Sequence, residues 1–265
     1  MREHKSCKPA ELLLPYIDRY FVGDTCFSHS VEPYPLFPGT GLDLFIHNSS
    51  SFILEGCKLP SAHIVCSRKN FQLELQENKV DFIAIRFRSG AFRHFCSVNF
   101  HELNNSFLSV EDLWKQEGAD LAEQVAGKSV ARQIQVLNSF FLRKLEEYRK
   151  ANVYMDHAIS RLYADTFADL KLLAGQYNIS YRHFGRCFSE EFGISPKRFQ
   201  RITRFQSAVK KILLHNKDVF SVISEEGYYD QAHFIKECKS FSGLTPSEFI
   251  INKNRKYHFY HSRLK

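Results

Sequence analysis

The sequence predicts an α+β chain in two parts. Residues 1–150 read as a small antiparallel β sandwich or barrel with helices, and residues 151–265 as an all-α domain with two helix-turn-helix motifs. Three observations carry this expectation. Short segments with period-two alternation fill the first hundred residues. Helical periodicity takes over after residue 109. The last third repeats itself at an offset of 50 residues, the mark of a duplicated supersecondary unit.

In chain order, Pro33, Pro35 and Pro38 with Gly39 and Gly41 predict an irregular loop. Leu42–Ile46 and Ser51–Leu54 flank Asn48-Ser49-Ser50, which reads as a hairpin. Phe71–Leu75 alternates with period two. After a turn at Glu77-Asn78-Lys79, Ile83, Ile85 and Phe87 share one strand face, with Arg86 and Arg88 on the other. Ser109 with Glu111 and Asp112 predicts a helix start. Val130, Ile134, Leu137, Phe141, Leu145 and Tyr148 form one apolar stripe at helical spacing. Such a stripe packs against its own sheet or serves as a dimer seam, here through residues 128–149.

Composition narrows the class. A hydrophobic fraction of 44% is that of a globular chain. The net charge of +7 falls wholly on one part. Residues 1–150 hold 18 Lys+Arg and 18 Asp+Glu, leaving 18 and 11 for residues 151–265. A basic half that also carries the repeat is where phosphate neutralisation would be needed. The seven cysteines are odd in number, with no C-x-x-C, so neither a disulfide framework nor a zinc module is expected. The expectation is a cytoplasmic protein with reduced thiols: Met1–Lys5 leads into no apolar signal segment, and no apolar run has the length of a membrane span. His29, His47, His63, His94 and His101 are scattered without metal-ligand spacing, and no nucleophile elbow, phosphate loop or dinucleotide glycine pattern occurs. No metal, cofactor or catalytic residue is expected.

The duplicated unit aligns Leu173-Ala174 with Ile223-Ser224, Ser180 with Asp230 and His183-Phe184 with His233-Phe234. Arg186 falls on Lys236, Gly193-Ile194-Ser195-Pro196 on Gly243-Leu244-Thr245-Pro246, and Phe199 on Phe249. Ser180 and Asp230 are expected N-caps of two reading helices, about 180–191 and 230–241. In the first, Phe184 and Phe188 face inward, with Tyr181, Arg182, Gly185 and Arg186 outward. In the second, Phe234 is the inward anchor, with Gln231, Ala232, His233 and Lys236 outward. Arg pairs with guanine and Gln with adenine in the major groove, and an Ala methyl can meet thymine. Ser195-Pro196 starts a long connecting helix, whose Lys197, Arg198, Arg201 and Arg204 suit phosphate contacts, as does Ser180. Gly227 is expected to end the helix that begins near Val219.

The pattern Leu173-Ala174, Ser180, Phe184, Arg186, Phe188, Gly193-Ile194-Ser195-Pro196, Arg204-Phe205 with Ala208, Gly227–Phe234 and Gly243–Phe249 resembles the AraC/XylS family of bacterial transcriptional regulators, over about residues 158–250. The resemblance implies a bipartite DNA-binding domain of seven helices. It puts base-reading positions on Arg182, Gly185, Arg186, Gln231, Ala232, His233 and Lys236. Three departures stand out: Gly185 offers no side chain, Cys238 replaces a usual Phe, and Ser224 replaces a usual Ala, placing a thiol and a hydroxyl in the second core. More loosely, Leu14–Phe21, the Phe37–Leu44 turn and Ile85–Phe92 resemble the sensor or dimerisation regions of some members.

The expected function is therefore sequence-specific DNA binding in transcriptional regulation, with an activator as the expectation and the sign of regulation left open by the sequence. Two recognition helices would enter successive major grooves. The implied partners are double-stranded DNA, RNA polymerase, a small effector in the front domain and a second copy of the chain. An alternative is a front domain that only dimerises or binds a protein. A third reading, a DNA-acting enzyme with an appended reader, requires a cleft with paired titratable groups.

Overall fold

A computed structural model of the chain describes residues 5–26, 34–49, 52–69, 71–75, 79–148, 153–214 and 217–251. The front half stacks three layers. A six-stranded antiparallel sheet runs in the order β1 (Lys5–Cys7), β2 (Ile17–Cys26), β9 (Lys79–Phe87), β4 (Leu42–His47), β7 (Ala62–Cys66) and β10 (Ser106–Ser109). On one face lies a second sheet of β3 (Tyr34–Leu36), β8 (Phe71–Leu75), β5 (Phe52–Leu54) and β6 (Cys57–Lys58). On the other lie the helices α1 (Phe100–Leu103), α2 (Val110–Trp114), α3 (Gln116–Val125) and α4 (Val130–Tyr148).

Strand alternation sorts the side chains between these layers. On β9, Ile83, Ile85 and Phe87 enter the core beneath the helices, while Phe82 and Ala84 enter the core between the sheets. On β4, Leu44 and Ile46 take the first side and Phe45 the second. The apolar stripe of α4 packs on its own domain through its middle. Leu137 and Phe141 are buried with neighbouring Val136 and Phe140, while Val130, Ile134, Leu145 and Tyr148 are half-buried. Phe141 meets Phe87, Phe95 and Trp114 edge-on. Buried polar groups beside it are bonded. Gln133 Nε2 donates to the Val125 carbonyl at 3.0 Å, and Lys144 pairs with Glu117 and Glu147.

Two local expectations change. Asn48 and Ser49 do not close a hairpin, because both edges of β4 are taken by β7 and β9. The chain instead crosses to the second sheet, where β5 pairs with β6 and β8. Asn48 marks the crossing, its amide Nδ2 donating to Asp81 at 2.6 Å. The proline-rich stretch contains a strand, β3. It lies at a sheet edge, where a missing N–H is tolerated.

Seven helices follow among the described residues: α5 (Val153–Ala164), α6 (Leu170–Gln176), α7 (Tyr181–Phe192), α8 (Pro196–Leu214), α9 (Val219–Glu225), α10 (Gln231–Ser242) and α11 (Pro246–Ile251). One core joins α5 to α10, and α8 runs through it with Phe199, Ile202, Phe205, Ala208, Val209 and Ile212 buried. Its 19 residues make a strut about 28 Å long. The Lys253–Lys256 tail lies outside the described residues.

Candidate nucleic-acid interface and interdomain cavity

Each of the two candidate reading helices, α7 and α10, starts from a side-chain cap. Ser180 Oγ accepts the His183 amide at 3.2 Å, and Asp230 Oδ1 accepts the His233 amide at 2.7 Å. Each ends at a glycine in the left-handed region, Gly193 and Gly243, and Gly227 adopts the same region after α9. Phe184, Phe188 and Phe192 anchor α7, and Phe234, Cys238 and Phe241 anchor α10.

The outward faces are as the spacing predicts. Tyr181, Arg182 and Arg186 are exposed on α7, and Gln231, Ala232, His233 and Lys236 on α10. Gly185 faces open space, with no atom within 4 Å of where a Cβ would stand. Among the described residues, Arg186 is tied to its own helix, by a 3.1 Å contact with His183 and a 4.0 Å approach to Glu190. Of the departures noted, Ser224 is exposed, so no hydroxyl enters the core there. Cys238 is buried, and burial pushes its thiol up to about 12, with the Glu237 charge adding to the effect. Phe220 and Tyr229 stand exposed beside the second unit. Periodicity does not flag them, because each lies at the edge of a helix.

The basic start of α8 is more committed than its charge suggests. Lys197 is exposed. Arg198 donates from Nη2 to the Arg68 carbonyl of the front half at 2.9 Å. Arg201 and Arg204 approach the buried Glu237 of α10 at 2.8 and 3.6 Å, and His233 approaches the same carboxylate at 3.7 Å.

Arg198 belongs to a wider junction. Asn104 Nδ2 donates to the carbonyl of Gly193, the C-cap of α7. Arg93, 1% exposed, reaches Asp156 Oδ1 of α5 at 2.6 Å and Glu191 Oε2 of α7 at 2.8 Å, its guanidinium over the Phe192 ring. His94 Nε2 lies 3.2 Å from the same Asp156 oxygen. Burial would raise the Asp156 carboxyl, but the bonds from His94 and Arg93 outweigh it and hold the group below its ordinary range. Sequence pattern carries no sign of this junction, since its partners lie 62 to 130 positions apart.

Between the halves lies a cavity of about 570 Å3. Its front wall carries Arg19, Arg86 and Arg88 beside Asp18 and Asp43, and its rear wall is α5 with Ile159, Ser160 and Tyr163. Arg86 grips Asp43 with two bonds, at 2.9 and 2.8 Å, and Arg19 holds Asp18 at 2.5 Å. Arg88 is half-exposed, with Nε on the Leu14 carbonyl and Nη2 3.8 Å from Asp18. Among the described residues, no group of three or more His, Cys, Asp or Glu side chains could hold a metal ion, and no helix is long and apolar enough to cross a membrane.

Comparison with known proteins decides the class of the C-terminal part. Residues 173–251 match a family model described as a helix-turn-helix domain. This is an AraC-type helix-turn-helix domain. Residues 5–109 match a domain of unknown function (DUF6597). An uncharacterized HTH-type transcriptional regulator of Haemophilus influenzae is 34% identical over 80 residues. That match covers 30% of this chain and 27% of the relative, so the chain spans about a quarter of its length. ToxT of Vibrio cholerae shares the fold with a TM-score of 0.50 at 14% identity, over 88% of this chain and 97% of ToxT. A second ToxT structure, bound to (E)-4-(8-methylnaphthalen-1-yl)but-3-enoic acid, gives 0.50 at 13% identity, over 88% and 98%. The likeness therefore extends beyond the AraC-type domain to a front domain of the same architecture.

Proposed function

We propose that the chain is a sequence-specific DNA-binding transcriptional regulator whose front domain controls its AraC-type domain. One observation carries the reading: two capped helices, each with an exposed polar face over an aromatic anchor, belong to two units joined by one continuous helix, α8, in the basic half of the chain. In this reading α7 and α10 enter successive major grooves. Arg182 and Arg186 read bases in the first box, with Tyr181 beside them and Gly185 allowing close approach. Gln231, Ala232, His233 and Lys236 read the second. Ser180 and Lys197 position the backbone, and Arg198, Arg201 and Arg204 are available there to the extent that their present partners release them. The reading assigns no catalytic residue.

The cavity favours a small-molecule effector over a front domain that only dimerises, since its volume and mixed polar and apolar walls suit a ligand. Arg88, half-exposed on its wall, makes small organic acids the first class to test, and the acid named with ToxT is of that class. The middle of the α4 stripe, Leu137 and Phe141, is filled by the domain's own core, while Val130, Ile134, Leu145 and Tyr148 stay half-buried, so a second copy docking through 128–149 is the further reading to test. Binding-site selection with the full chain tests the central claim. Two short boxes about one helical turn apart are expected, and no enrichment over random DNA refutes it.

A further inference from the structure

The turn 88–94 works on two sides at once. Arg88, Ser89, Ala91 and His94 line the cavity. Arg93, set among them, is turned into the protein and joins Asp156 of the cavity wall to Glu191 in the last turn of α7. The approach is close. Gly90 sits in the left-handed region at φ 73°, where a Cβ would run into Ile159 of α5 and come within 2.7 Å of the Phe192 ring. Gly193 is clamped in the same way, with no room for a Cβ against the Phe100 carbonyl or Asn104. The junction thus grips the end of α7 and the start of α8. Among the described residues, the interdomain bonds given above land on α5, α7 and the start of α8, so the link from the front half to the second unit runs through α8 and the shared core.

A buried guanidinium shared by two carboxylates is a mechanical link. Half-exposed Asp156 can turn toward a ligand, whereas Arg93 cannot turn toward water, so any change at Asp156 alters how firmly Arg93 holds Glu191. We propose that the bridge Asp156–Arg93–Glu191 makes the first reading head, and not the second, responsive to what occupies the cavity. The proposal rests on the functional reading above, in which α7 reads DNA and the cavity seats a ligand. It adds an asymmetry: one box of the operator is read under effector control and the other is read constitutively.

The test uses the full chain and three variants, Asp156→Asn, Glu191→Gln and the double substitution, which keep side-chain shape and spare buried Arg93. Amide hydrogen exchange is followed in 181–192 and 231–242. In each single variant, exchange in 181–192 should rise about fivefold or more, the lower end of ordinary allosteric coupling, while 231–242 stays unchanged. The double variant should add little to the larger single effect, because both residues act through one arginine. Footprints on a selected two-box site should weaken at the box read by α7 alone. Equal changes in both helices, no change in either, or additive effects overturn the bridge. The expected exchange pattern with no footprint from the unsubstituted chain instead overturns the DNA-reading assignment, and with it the claim about reading heads.

Discussion

His63 should make the front domain acid-sensitive in a defined window. Its ring is fully buried between the sheets, stacked on Phe45 and His47 at 5.6 and 5.3 Å, and Nδ1–H donates to the Pro60 carbonyl at 2.6 Å. Nε2 has no partner among the described residues. Burial, then the neighbouring His47, lower its pKa from 6.5 to about 3, against an upward pull from the Pro60 bond. The folded pKa lies below the unfolded one, so the unfolded chain takes up the proton first. Stability is complete above pH 6.5 and falls as pH drops through the window from 6.5 to about 3. The slope is about 1.4 kcal/mol per pH unit, or about 2 kcal/mol lost by about pH 5. Urea unfolding followed through Trp114, the single tryptophan, which is buried in this domain, measures the loss at about pH 8 and about pH 5. His63→Leu surrenders the Pro60 bond and lowers stability at both pH values, but should shed about 2 kcal/mol of the pH-dependent loss. Equal losses in the two proteins would refute the argument.

Three other predictions concern the helical half and its junction. Arg186→Ala should weaken specific DNA binding by about 1–3 kcal/mol and relax choice at one base; a selection that returns the same preferences removes Arg186 from base reading. Gly90→Ala should destabilise the chain by about 1–3 kcal/mol, since the methyl meets Ile159 and Phe192 and the backbone lies at φ 73°; an unchanged melting temperature would show that the junction yields. Glu237→Gln leaves Arg201 and Arg204 without their charge partner and should lower stability by about 2 kcal/mol, less than a wholly buried pair because Arg201 reaches solvent. Thermal unfolding by far-UV circular dichroism measures it, and a change within error would leave Glu237 no structural part.

Legibility in the sequence followed the range of the interaction. Caps such as Ser180 and Asp230 act over three residues, and the alternation of Ile83, Ile85 and Phe87 over five, so both can be read from the chain alone. The AraC-type domain was legible because its second unit repeats the first. The crossing at Asn48 was not, because a turn signal does not say which strand edges are already taken. Arg93 reads as a surface charge until folding brings Asp156 and Glu191 to it from 63 and 98 positions away. Arg201 and Arg204 likewise look like free cations until α10 presents Glu237.

In the proposed reading, Glu237 also bears on the time the protein would spend on the wrong DNA. A reader loses most of its search time to random sequence, held there by phosphate contacts that carry no information. In that reading, each arginine held on Glu237 would withhold one such contact and about 0.9 of the salt slope of nonspecific binding. Gln231, Ala232 and Lys236 keep their exposed positions on α10 in this arrangement. On the proposed reading, a carboxylate hidden beneath α10 would thus shorten each pause on irrelevant sequence and leave the bound lifetime to the bases themselves.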